Sequence, residues 1–99
     1  MSFQDGVVSV VSMDRMAAVV AACKIRSENI PCDVFYTGNI KKQMQKSADF
    51  EAVVLILEDG TYVKDMITGI QRPLEGDLVK AVMHVLYEGY YDDSVQDSQ

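Results

Sequence analysis

The segment Ala52-Val53-Val54-Leu55-Ile56-Leu57, then Glu58-Asp59-Gly60, then Tyr62-Val63-Lys64-Asp65-Met66-Ile67-Thr68-Gly69-Ile70-Gln71, decides how this 99-residue chain is read. Six consecutive apolar residues suit a strand covered on both faces. Asp-Gly is the strongest short-range hairpin signal, so residues 62–66 are expected to return antiparallel. Thr68-Gly69 marks a second turn, after which residues 70–72 can pair as a short fifth strand, stopped by Pro73.

The N-terminal half repeats a different unit. Residues 7–11 (Val7-Val8-Ser9-Val10-Val11) read as a short strand, apolar on both faces. Ser12 is expected to cap a helix through its hydroxyl, with Asp14 favoured in the first turn by the helix dipole. Met13, Met16, Val20 and Cys23 recur at helical spacing, with Ala17 and Ala21 beside them, and the helix is expected to reach Glu28. Asn29 stands where a left-handed residue commonly ends a helix, and Ile30-Pro31 breaks the pattern. Residues 33–36 read as the second strand. Asn39 can cap the next helix, in which Ile40, Met44 and Ala48 form a stripe. Residues 77–90 read as a third helix with Leu78, Val79, Val82, Met83, Leu86 and Tyr90 on its apolar side and Gly89 weakening its end. Strands alternating with helices imply right-handed parallel crossovers for the first three strands. The expected fold is therefore α/β and three-layered: a mixed, mostly parallel sheet of four to five strands with three helices. One domain over residues 1–91 and an acidic, frayed tail over 92–99 complete the expectation.

These residues, in this order, resemble the anticodon-binding domain of class II aminoacyl-tRNA synthetases, the histidyl enzymes most of all. The resemblance runs from about Val7 to Leu86. The family's Leu-Arg-x-x-Gly-Ile at the first helix end is matched by Ile25-Arg26-Ser27-Glu28-Asn29-Ile30, with asparagine in place of glycine. Its Lys-Lys-Gln segment and Ala-Asp pair look like Lys41-Lys42-Gln43 and Ala48-Asp49. Its Val-Lys-Asp-hydrophobic and Thr-Gly-x-Gln patterns look like Val63-Lys64-Asp65-Met66 and Thr68-Gly69-Ile70-Gln71. The family's longer Gly-Glu-x-Glu loop has shrunk here to Glu58-Asp59-Gly60. The resemblance implies a non-catalytic tRNA-recognition domain, with aminoacylation carried out in another domain of a histidyl-type synthetase or synthetase-like protein. It implies no cofactor and no catalytic residue in this chain. The alternative it leaves open is a protein-interaction or dimerisation module of the same fold.

Lys41, Lys42 and Lys46 would offer phosphate contacts on the second helix, whose N-terminal amides attract anions. Tyr36 would stack on an unpaired base, Asn39 and Gln43 would bond base edges, and Lys64 and Arg72 would add phosphate contacts from the late strands. Tyr87, Tyr90 and Tyr91, with Phe3 at the other end of the chain, are the candidates for a protein partner or a homodimer.

Composition narrows the rest. The net charge is −6, against the basic face usual in nucleic-acid binders. Glu88, Asp92, Asp93 and Asp97 crowd the C-terminal segment, so the acidic excess elsewhere is small. Two cysteines without CxxC spacing suggest neither a disulfide scaffold nor zinc and point to a reducing compartment. The cytoplasm is the expected location, with the mitochondrion as the alternative. No apolar run approaches bilayer length, and no signal peptide is expected. His84 has no nucleophile or carboxylate at a suggestive spacing, and Asp59 lacks the acidic pair and five βα units of a phospho-acceptor domain. Metal, dinucleotide and phosphate-loop motifs are missing.

Overall fold

The computed structural model describes residues 7–91. The element order is β1 (Val8–Ser12), α1 (Arg15–Arg26), β2 (Cys32–Phe35), α2 (Ile40–Lys46), β3 (Ala52–Leu57), β4 (Gly60–Asp65), β5 (Gln71–Pro73) and α3 (Leu78–Tyr87). The sheet runs β2-β1-β3-β4-β5. β1 pairs in parallel with β2 and β3, and the β3–β4–β5 meander extends the sheet antiparallel. This is the expected α/β architecture. The acidic tail and Phe3 lie outside the described residues.

The chain moves from β1 to β2 on one side and then back across β1 to β3 on the other. Two right-handed crossovers in opposite directions place their helices on opposite faces. α1 and α3 pack together on one face over Val8, Val10, Val54 and Val63. α2 covers the other, above Val11, Val53 and Leu55. With helices on both sides, all five residues of β1 are buried, serines included. Ser9 is tolerated there because its hydroxyl donates to Ser47 Oγ (2.8 Å), which in turn donates to the Gln43 carbonyl (3.0 Å).

Several local readings shift. Ser12 does not cap α1: it is the last residue of β1, and its Oγ accepts from Asp14 N–H. Asp14 is the cap, accepting from Ala17 N–H (3.2 Å). The face that α1 buries carries Ala18, Ala21, Ala22 and Ile25, whereas Met13, Met16 and Val20 are 63%, 70% and 49% exposed. Small alanines let the helix lie close to the sheet, so the longer side chains of the stripe face outward. Asn29 adopts φ +64°, the left-handed conformation its position calls for. The hairpin turns one residue earlier than Asp-Gly suggests: Glu58 and Asp59 span it, and Gly60 (φ +149°) already pairs with Leu57. Pro73 is the last residue of β5, paired with Tyr62, rather than the residue after it. The proline can sit there because β5 is an edge strand. α3 stops at Tyr87, where the N–H groups of Glu88 and Gly89 (φ +83°) both bond the His84 carbonyl.

Asp65, 2% exposed, fastens the C-terminal segment to the sheet. Its Oδ1 accepts from Ile67 and Thr68 N–H and its Oδ2 from Tyr90 N–H (2.8 Å). Burial pushes this carboxyl up, but the backbone donors of Tyr90, Ile67 and Thr68 and the Thr68 hydroxyl outweigh it, and the net pKa is lowered. A depressed folded-state pKa gives stability that is fully present above the unfolded carboxyl value and is lost as pH falls through the folded value. The urea midpoint is therefore expected to hold from neutral pH down to about 5 and to fall below about 4. D65N is expected to lose about 2 kcal/mol at neutral pH and to show a weaker acid-side fall. Urea titrations across pH, on both proteins, check this.

Candidate nucleic-acid interface

Gln43 fixes the geometry of the α2 face. Its side chain is fully buried. Its Oε1 accepts from Ser12 N–H (2.8 Å), and its Nε2 donates to the Ser12 carbonyl (3.0 Å) and, at longer range, to the Thr37 carbonyl (3.4 Å). The amide thus satisfies both backbone groups at the end of β1 and cannot read a base. That corrects the expected role of Gln43. It also makes Gln43 the element that orients the lysines, because a helix pinned through one side chain has its outward residues set by the 3.6-residue period.

The two lysines at the start of α2, Lys41 and Lys42, are about 100° apart around the axis. Lys41, with Gln45 one turn later, lies on the flank toward β3 and β4. Lys42 and Lys46 form the opposite flank. Lys46 lies 6.0 Å from the centre of the Phe35 ring, toward β2. Lys42 packs along Gly38, 3.8 Å from where a Cβ would stand. The three lysines expected to act together are therefore divided between two flanks. The helix is also only seven residues long, and its cap is occupied, since Asn39 Oδ1 accepts Lys42 N–H (2.8 Å). Asn39 serves the helix in this way, rather than presenting its oxygen to a ligand.

The late strands complete one flank only. The β4 register pairs Lys64 with Val53 and Gln71, so Lys64 stands on the α2 side of the sheet. There a hollow of about 510 Å³ opens to solvent. Met44, Leu55 and Met66 form its floor, and Lys41, Gln45, Lys64 and Gln71 its rim. Tyr62, two residues before Lys64, lies on the same face. Its hydroxyl donates to Asp59 Oδ2 (3.1 Å). This bond, with the Asp59 charge and a small effect of burial, raises its pKa. Neither Lys41, Lys42, Lys46 nor Lys64 is in a salt bridge among the described residues, where the one recorded contact of that type joins His84 and Glu88 (3.8 Å).

The remaining expected residues lie elsewhere. Arg72 pairs with Val63, which puts it on the α3 side. Its guanidinium lies 4.6 Å from the centre of the Tyr90 ring, and it donates to the Tyr91 carbonyl (2.6 Å). It is part of the C-terminal fastening and does not converge with Lys64. Tyr90 is 7% exposed and closes the core, so it is not available to a partner. Its pKa is raised, first by burial, then lowered by Arg72 and raised by Asp65. Tyr87 and Tyr91 are 80% and 55% exposed. Tyr36, at the end of β2, is 36% exposed and has the Arg15 guanidinium 5.4 Å from its ring centre. Gln45, Tyr62 and Gln71, which are not among the expected residues, also stand on the α2 face. The period-two alternation of β4, which sends Tyr62, Lys64 and Met66 to one side, carries the signal that finds Tyr62.

No group of three or more metal-ligating side chains occurs among the described residues, and no helix there is long and apolar enough to cross a membrane.

Comparison with protein-family profiles and with curated proteins yields no match. Solved structures do match in fold. A histidyl-tRNA synthetase from Nostoc sp. PCC 7120 superposes with a TM-score of 0.74 at 20% identity over 84% of this chain. The RNA binding domain of threonyl-tRNA synthetase from Cryptosporidium parvum Iowa II gives 0.67 at 14% identity over 88%. The apo histidyl-tRNA synthetase of S. aureus gives 0.63 at 22% identity over 79%. This chain spans about a quarter of those chains, 23%, 24% and 23% of their lengths. The fold expected from the sequence resemblance is the fold observed.

Gln43→Ala is expected to destabilise the domain by about 2 kcal/mol, because it strands the buried N–H and carbonyl of Ser12. Urea denaturation of the variant measures this. An unchanged midpoint would show that the amide is not structural.

Proposed function

We propose that this domain binds tRNA at the anticodon region, across the hollow between α2 and the β3–β5 meander. One observation carries the reading: Lys41 from α2 and Lys64 from β4 stand on the rim of one apolar-floored hollow, with no carboxylate paired to either among the described residues. Single-stranded nucleic acid is held by cations that follow its phosphates and by apolar or aromatic surfaces against which its bases lie. Lys41 and Lys64 supply the first, and Met44, Leu55 and Met66 supply the second, with the Tyr62 ring on the same face of the sheet beside them. Gln45 and Gln71, on the same rim, carry amide donors and acceptors that can bond a base edge. Lys42 and Lys46, on the far flank, suit the flanking backbone, and Tyr36 the neighbouring end of the sheet.

The neighbouring folds support the same reading, since one is the RNA binding domain of a threonyl-tRNA synthetase and two are histidyl-tRNA synthetases. The domain would act without chemistry of its own, as the accessory tRNA-recognition unit of a histidyl-type synthetase or a close paralogue, in the cytoplasm. The acidic body fits this role: its net charge of −6 opposes general polyanion binding and leaves affinity to one small cationic site.

Fluorescence-anisotropy titration of a tRNA transcript at several salt concentrations tests the proposal. Three to four phosphate contacts predict a slope of log K on log salt of about −2 to −3. A K41E/K64E double variant is expected to bind at least tenfold more weakly, while K80E, on the opposite face, leaves affinity unchanged. Equal losses from K80E, or no binding at low salt, would contradict the reading.

A further inference from the structure

We infer that the opposite face, the groove between α1 and α3, is a self-association surface on which two copies of this chain pair with their α1 helices antiparallel. The apolar stripe of α1 is the starting point. Met16 is 70%, Val20 49% and Val19 38% exposed, and Cys23 continues the line one turn further on. The spacing 16, 19, 20, 23 keeps all four on one side of the helix, away from Ala18, Ala21, Ala22 and Ile25, which meet the sheet. Beside this ridge lies a hollow of about 750 Å³, walled by Val20 of α1 and by Leu74, Leu78 and Val79 leading into α3. A ridge next to a groove that runs along it is the shape an isologous interface requires, since each copy must supply both halves.

Charge chooses the occupant and its direction. α1 and α3 both start at the end of the sheet where Asp14 and Asp77 cap them, and these two exposed carboxylates mark the hollow's upper end. Lys24, ten residues further along α1, marks its lower end. A second copy turned by a two-fold axis sets Asp14 and Asp77 opposite the partner's Lys24 twice over, and also opposes the helix dipoles favourably. A parallel pairing would set carboxylate against carboxylate and ammonium against ammonium. The groove therefore matches its own inverse. With the axis near Val19 and Val20, Met16 of one copy meets the partner's Cys23. The two Cys23 residues then stand seven residues apart along the helices, about 10 Å, beyond the reach of a disulfide. Two helices on each side make a modest contact, so the dimer is expected to form only as concentration rises.

Sedimentation equilibrium of the full 99-residue chain up to millimolar loading, together with oxidative cross-linking, tests the pairing. The expected results are a reversible monomer–dimer equilibrium and at least a tenfold weakening in M16E, with unchanged circular dichroism and Tm because Met16 lies outside the core. Under a mild oxidant, M16C is expected to give a covalent dimer through the partner's Cys23, whereas wild type and M16C/C23S give none. Cys32 stays silent, being buried with its thiol pushed up to about 11, by burial first. A chain that is monomeric throughout would overturn the pairing and give the groove to another occupant, such as a further segment of a longer protein. A dimer unaffected by M16E, or cross-links that persist in M16C/C23S, would equally overturn it.

Discussion

The two hydrogen bonds between the Gln43 amide and the backbone of Ser12 hold the rest of the arrangement in place. A parallel strand at the centre of a sheet ends with backbone groups that nothing in the sheet satisfies. Here a side chain from the opposing layer takes both, and in doing so fixes the height and rotation of a helix too short to be stable alone. The Ser9–Ser47 hydroxyl pair adds a second tie nearby. α2 is thus held to β1 largely by buried polar groups, whereas α1 and α3 are held by apolar packing. Because α2 is short and sits over β1, it leaves the late strands uncovered on its side. The hollow flanked by Lys41 and Lys64 is the result.

The two faces of the sheet consequently differ in chemistry. One side offers cations around an apolar floor and suits a polyanion whose bases can leave the solvent. The other offers a methionine and valine ridge along a groove with one charge sign at each end, which suits a protein surface of matching shape. The acidic excess of the chain does not conflict with the first, because no carboxylate lines that hollow and Asp59 is engaged by Tyr62. Asp65 and Arg72, which a linear reading places beside the cationic site, instead hold residues 88–91 against the sheet edge. They serve stability, and their charge is spent within the fold.

Much of the fold was legible because it rests on local chemistry. Asn29 at the end of α1, the hairpin around Glu58-Asp59-Gly60, the Thr68-Gly69 turn and the apolar run of β3 each state a backbone requirement that a few residues can meet. Element order then followed from strand and helix periodicity. Less was legible where a long-range partner decides the outcome. Gln43 looks like one more polar residue of a lysine-rich helix until Ser12, 31 positions away, claims it. Arg72 looks free until the Tyr90 ring covers it. The stripe of α1 has helical spacing on two sides, one alanine-rich and one methionine- and valine-rich, and size alone suggests the wrong one as core. Close approach of helix to sheet favours the alanines, and that depends on the sheet being there. The lysines of α2 were expected as one set of phosphate contacts, and dividing them into two flanks requires the helix rotation that Gln43 sets.

The central claim is that the α2 side of the sheet, and not the α1–α3 side, meets nucleic acid. Amide chemical-shift mapping by NMR, with an unlabelled anticodon stem-loop added to the labelled chain, addresses it most directly. The account predicts that the largest perturbations fall on Lys41, Gln45, Lys64 and Gln71, with α1 and α3 unmoved. Perturbations confined to Met16, Val20, Lys24 and the start of α3, or none at all at low salt, would contradict it.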